Sequence, residues 1–143
     1  VSPTTSNDRF TTTTPNGNYE PVFDACALAQ AAGAGFVGRE ITLQTPALKN
    51  LLKEGLAHSG FSFIEVMSDC TEVFGRKNEL GDSAEMVLTQ KSSVRPDVHD
   101  NLVEQPFRPN FLRTGVMARN ERPEYAAAYR QHMLSMRERK QHG

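Results

Sequence analysis

Apolar residues concentrate between Pro21 and Leu88, and their spacing changes along that stretch. From Pro21 to Ala32, Phe23, Ala27, Leu28 and Ala31 fall on one helical face, with Gly33 or Gly35 placed to stop the helix. The short run Phe36-Val37-Gly38-Arg39 reads as a strand. A second helix is predicted where Thr45 can cap, Pro46 occupies the first turn, Leu48, Leu51, Leu52 and Leu56 recur at helical spacing, and Gly60 stands just past the end. Phe61 to Met67 then makes a dense strand. Strand, helix and strand joined this tightly predict a parallel βαβ unit whose strands are buried on both faces. Further on, Asp82 can cap a helix running to about Gln90, with Glu85 reaching back to its amide. A last helix begins near Pro123, with Tyr125, Tyr129, Met133 and Met136 on one face and the basic run Arg137 to Lys140 at its end.

The flanks of this apolar stretch are polar. Residues 1–20 form a Thr-rich lead-in, expected to be extended, and 91–110 a linker carrying Pro96, Pro106 and Pro109. The predicted organisation is therefore lead-in, α/β core over 21–90, linker, and a C-terminal strand and helix arm over 111–143. At 143 residues the chain suits one ordinary domain, and 16 Lys and Arg against 17 Asp and Glu leave a net charge of −1. That balance excludes an electrostatic nucleic-acid binder. No apolar run approaches the roughly 20 residues needed to cross a bilayer, so no membrane association is expected and the reading is a soluble, cytoplasmic protein. Two cysteines, Cys26 and Cys70, are too few for a disulfide framework and are treated as separate thiols.

Most chemical templates fail on inspection. Gly33-Ala34-Gly35 follows a helix and precedes a strand, the reverse of the order that presents amides to a phosphate. His58, His99, His132 and His142 are scattered, without a zinc-ligand spacing. In open α/β sheets ligands gather beyond the carboxyl ends of the strands, which directs attention to Ser68-Asp69-Cys70-Thr71-Glu72. From the residues alone, Cys70 is either a chemical group or a loop thiol without a role. Cys26, on an alanine-rich helix face, reads as a packing residue.

Several segments, in order, carry a resemblance: Ser2 to Thr5, Thr14 to Pro21, the run PVFDACALAQAAGAGFVGR, HSGFSFIEVMSDC, and FGRKN close behind. Together they resemble the C-terminal half of the β subunit of 2-oxoacid:ferredoxin oxidoreductases, most nearly the 2-oxoglutarate type. The likeness runs nearly continuously from Val1 to about Glu85, with a weaker echo in Thr114-Gly115-Val116 and Arg122-Pro123-Glu124-Tyr125. It implies α/β architecture forming part of a thiamine diphosphate-binding fold, with parallel strands and flanking helices. Enzymes of this family oxidatively decarboxylate a 2-oxoacid to an acyl-CoA, with thiamine diphosphate, Mg²⁺ and coenzyme A, and pass electrons through a 4Fe-4S cluster to ferredoxin. The implied partners are the α subunit, further small subunits and ferredoxin.

In this β subunit three cluster cysteines lie in the N-terminal half and the fourth follows the strand that here is FSFIEVM. Cys70 is the matching residue, and a strand end supplies the rigidity a cluster ligand needs. The family usually has proline after this cysteine, where this chain has Thr71. The thiamine motif and the other cysteines belong to the family's N-terminal half, so the chain is expected to be a fragment that is catalytically silent alone. The resemblance also places Thr4, Thr5, Asn18 and Glu20 in a segment bordering the thiamine site or a subunit interface; as turn and capping residues they are equally at home. Arg76, Lys77 and Asn78 stand either near cluster sulfur or in a solvated basic patch. The Tyr125 stripe packs either on its own chain or on a neighbour. The rival reading of the whole chain is a small non-catalytic α/β module that binds partners, with Cys70 incidental.

Overall fold

The computed structural model describes residues 2–96 and 112–141, so most of the expected linker, including Pro106 and Pro109, lies outside the described residues. The elements are α1 (Ala25–Ala31), β1 (Phe36–Ile41), α2 (Thr45–Ala57), β2 (Ser62–Met67), a π-helical turn (Thr71–Gly75), α3 (Ser83–Ser93), β3 (Val94–Pro96), β4 (Leu112–Arg119) and α4 (Tyr125–Gln141). The four strands form one sheet in the order β2-β1-β4-β3. As the sequence implies, β1 and β2 are parallel, from Phe36 beside Ser62 to Ile41 beside Met67. The sheet is nevertheless mixed, because β4 inserts antiparallel to β1 while pairing parallel with β3.

Helix α1 starts later than its apolar pattern suggests. Asp24 sits in extended conformation and accepts from the Ala27 amide, so the helix begins at Ala25. It ends in a Schellman arrangement: Gly33 takes φ +82°, its amide donates to Gln30 O, and the Ala34 amide donates to Ala29 O at 2.9 Å. The buried face is also different. Cys26 and Ala29 face the sheet, while Phe23 and Leu28 stand 44% and 57% exposed. Small side chains let the helix lie close on Val37, Phe63, Met117 and Ala118, and close approach takes precedence over the larger apolar groups.

Strand β1 is buried along its whole length and extends past the predicted Arg39 to include Glu40 and Ile41. Helix α2 covers the face opposite α1. There Leu51 packs over Gly38, where a Cβ would lie 2.6 Å from Leu51 Cδ1, and Gly55 similarly admits Ile64 and Phe36. The α2 cap position is Gln44, which makes no side-chain capping bond, and Thr45 and Pro46 are the first helical residues. Leu51 is buried as expected, but Leu56 is 86% exposed. Strand β2 was expected to be buried on both faces and is only half-buried, because it is the edge strand of the sheet.

The lead-in carries no helix or strand and doubles back on itself. The Asp8 amide donates to Asn18 O and the Asn18 amide to Arg9 O, at 2.7 and 2.9 Å, and Phe23 N then reaches Pro3 O. At the other end α4 presents its Tyr125, Tyr129, Met133 and Met136 stripe to solvent, with Tyr125 and Tyr129 stacked 5.9 Å apart.

Candidate functional site

Cys70 lies where the parallel pair delivers it, three residues beyond the end of β2. It caps a π turn that closes when the Gly75 amide donates to Cys70 O at 2.8 Å. The turn needs glycine at 75: a Cβ there would stand 2.6 Å from Met86 Sδ and 3.2 Å from Cys70 O, so its absence lets α3 pack beneath the turn. Helix α3 is in turn fixed by a complete capping box, with Asp82 Oδ1 accepting from Ala84 and Glu85 amides and Glu85 Oε2 accepting from the Asp82 amide. This box is the one the sequence predicts, and the helix runs on to Ser93.

The turn changes the chemistry of the thiol. Cys70 is exposed, and the backbone amides of Phe74, then Val73 and Glu72, are turned toward it, holding its pKa below the ordinary 9.0. Thr71, in the place of the family's proline, occupies the first position of the turn, where proline is readily accepted. Thr11, Thr12 and Thr13 of the lead-in face Cys70, Val73 and Phe74 across an open depression of about 320 Å³. Of the neighbours singled out by sequence, Arg76 pairs with Glu72 at 2.5 Å in an exposed i,i+4 contact. Asn78 bonds the backbone N–H and C=O of Phe10 and also donates to Phe74 O within the turn.

Thr4, Thr5 and Asn18 lie in the folded-back lead-in. Asn18 is buried, its amide donating to Thr5 O at 2.9 Å and its Oδ1 accepting from the Glu20 amide at 3.3 Å. Thr5 Oγ1 accepts from the Ser2 amide, and Thr4 Oγ1 meets Ser2 Oγ at 2.9 Å. These groups are bound to one another as turn residues. Among the described residues, no three His, Cys, Asp or Glu side chains gather to hold a metal ion.

The sequence reading missed a second cluster beneath α1. Arg39 on β1 reaches Asp24 Oδ1 at 2.6 Å and Glu65 Oε2 at 2.5 Å, bridging the α1 cap and its neighbour strand. Cys26 Sγ lies against Glu65 Oε2 and Gly38 O at 3.6 and 3.7 Å. Burial pushes the Cys26 thiol from 9.0 up to about 12. The pairing of Arg39 with Glu65 follows from the parallel register, which sets the two residues side by side on β1 and β2.

In fold, the mixed α/β sheet with flanking helices is shared with a solved oxidoreductase chain. The 2-oxoglutarate:ferredoxin oxidoreductase from Magnetococcus marinus, solved with 2-oxoglutarate, coenzyme A and succinyl-CoA bound, is similar at a TM-score of 0.71 and 19% identity, over 92% of this chain and 46% of that one. No protein-family model matches. In sequence, the chain is a homologue of the KorB subunits of 2-oxoglutarate synthase and fits their C-terminal part. It is 42% identical over 93 residues to KorB of Methanothermobacter marburgensis, covering 65% of this chain and 33% of that subunit. With KorB of Methanocaldococcus jannaschii it shares 33% identity over 126 residues, 87% of this chain and 46% of the relative. The chain thus spans between a third and a half of the length of these relatives.

Proposed function

We propose that this chain is the C-terminal part of the β subunit of a 2-oxoglutarate:ferredoxin oxidoreductase, acting with an α subunit and further small subunits in the cytoplasm. The reaction assigned is oxidative decarboxylation of 2-oxoglutarate to succinyl-CoA, with coenzyme A as co-substrate and ferredoxin as electron acceptor. The observation that carries the reading is 33% identity to a KorB subunit across 126 residues.

In this reading Cys70 is one thiolate ligand of a 4Fe-4S cluster whose other ligands come from outside the chain. The site suits that role: an exposed sulfur is held by a rigid turn, and amide dipoles favour its ionised form. The cluster supplies one-electron transfer, while thiamine diphosphate and Mg²⁺ supply decarboxylation chemistry in a pocket built mainly by other residues. Thr4, Thr5 and Asn18 shape the lead-in that borders that pocket. No helix among the described residues is long and apolar enough to cross a membrane.

Assembly with the partner subunits tests the reading. The complete complex should reduce ferredoxin only when both 2-oxoglutarate and coenzyme A are supplied, and the isolated 143-residue chain should not. A complex that assembles and binds its cofactors yet shows no 2-oxoacid-dependent reduction would refute it.

A further inference from the structure

We propose that Asn78 is a positioning residue that fastens the threonine turn of the lead-in against the Cys70 turn, making residues 11–13 one wall of the sulfur site. Its side chain binds Phe10 at two points, Oδ1 accepting from the Phe10 amide at 2.8 Å and Nδ2 donating to Phe10 O at 2.9 Å. That is the pairing a neighbouring strand would make, supplied by a side chain 68 residues away in sequence. Nδ2 also donates to Phe74 O at 2.8 Å, and Phe74 belongs to the π turn that Cys70 caps. One carboxamide therefore joins the lead-in to the peptide segment that holds the sulfur.

The segment so fastened is already shaped. Thr11 Oγ1 and Thr14 Oγ1 lie 2.6 Å apart, the Thr14 amide donates to Thr11 Oγ1 at 3.1 Å, and the Gly17 amide closes on Thr14 O at 3.2 Å. A closed turn moves as a unit, so holding it at Phe10 places Thr11, Thr12 and Thr13 beside Cys70 together. Water access and hydrogen bonding around a cluster sulfur set its stability and potential. The functional side of the inference rests on the reading of Cys70 as a cluster ligand; the clamp itself does not.

Alkylation of the 143-residue chain by a neutral haloacetamide at one fixed pH tests the clamp, with Cys26 as the internal reference. Asn78→Ala removes the bonds to the Phe10 amide, Phe10 O and Phe74 O together and should raise the Cys70 rate several-fold. Asn78→Asp keeps an acceptor for the Phe10 amide but turns oxygen toward Phe10 O and Phe74 O, and should fall between. Cys26 should stay protected in both variants. Equal Cys70 rates in all three proteins would overturn the inference. So would parallel acceleration of Cys26, which marks general loosening rather than a lifted wall. In the assembled enzyme Asn78→Ala should keep its iron and shift the cluster's reduction potential, and an unchanged potential would remove the functional claim. Iron loss in Cys70→Ser judges the ligand reading separately, because the alkylation rates involve no iron.

Discussion

The two cysteines of this chain sit in opposite electrostatic settings. Cys26 is enclosed between α1 and the sheet beside the Glu65 carboxylate, and burial drives its thiol up to about 12. Cys70 is in solvent at the end of β2, and backbone amides draw its thiol down. Sulfur chemistry is thus suppressed where the fold needs packing and promoted where a strand end meets an aqueous face. The difference arises from the backbone: a helix laid flat on a sheet desolvates its thiol, whereas a π turn gathers N–H groups around one.

The largest effect should come from the buried side of this comparison. Arg39→Met leaves the Asp24 and Glu65 carboxylates without their cation and should cost about 3 kcal/mol or more in urea unfolding. A loss under about 1 kcal/mol would show that water already screens this network.

The pH dependence sharpens the same contrast. Because the folded Cys26 pKa is raised, the unfolded thiol ionises first, and stability present below 9.0 is lost as pH rises toward about 12. Thermal unfolding should show this alkaline limb in Cys70→Ala and a weaker one in Cys26→Ala. Asp24 acts in the opposite direction. Burial raises its pKa, but the Ala27 amide and Arg39 outweigh that and hold it below 3.8, so its contribution is present above that pH and lost as acid titrates the folded carboxylate. Asp24→Asn should flatten the acid limb in the same unfolding experiment.

On the Cys70 side the expected effects are smaller. Asp82→Ala removes both capping bonds under the turn and should cost about 1 kcal/mol, measured as a shift in urea midpoint at unchanged slope. Arg76→Ala breaks only the exposed contact with Glu72 and should stay within about 0.5 kcal/mol.

Local signals carried much of this architecture. The parallel β1 and β2 pair follows from two apolar runs around a leucine-spaced helix, and the α3 capping box from two acidic residues three apart. The position of Cys70 follows from strand order. Features that depend on distant partners were not legible. Arg39 reads as the end of a strand until Glu65 is placed beside it, and the role of Asn78 is invisible until Phe10 arrives from 68 residues away. The α1 face was misread because periodicity ranks residues by hydrophobicity, whereas here the small Cys26 and Ala29 permit the close contact that decides packing. The mixed character of the sheet depends on β4, whose pairing with β1 crosses more than seventy residues of chain.

In the proposed function, Cys70 alone of the two thiols is lent to an electron-transfer cluster. Iron and sulfide analysis with electron paramagnetic resonance of the assembled enzyme, carrying Cys70→Ser or Cys26→Ser, tests it most directly. Oxygen is a harder ligand than thiolate and holds cluster iron less well, so Cys70→Ser should lose or weaken the cluster while thiamine diphosphate stays bound, and Cys26→Ser should keep it. A cluster that survives loss of Cys70, or that disappears with Cys26, would show that Cys70 is not the ligand.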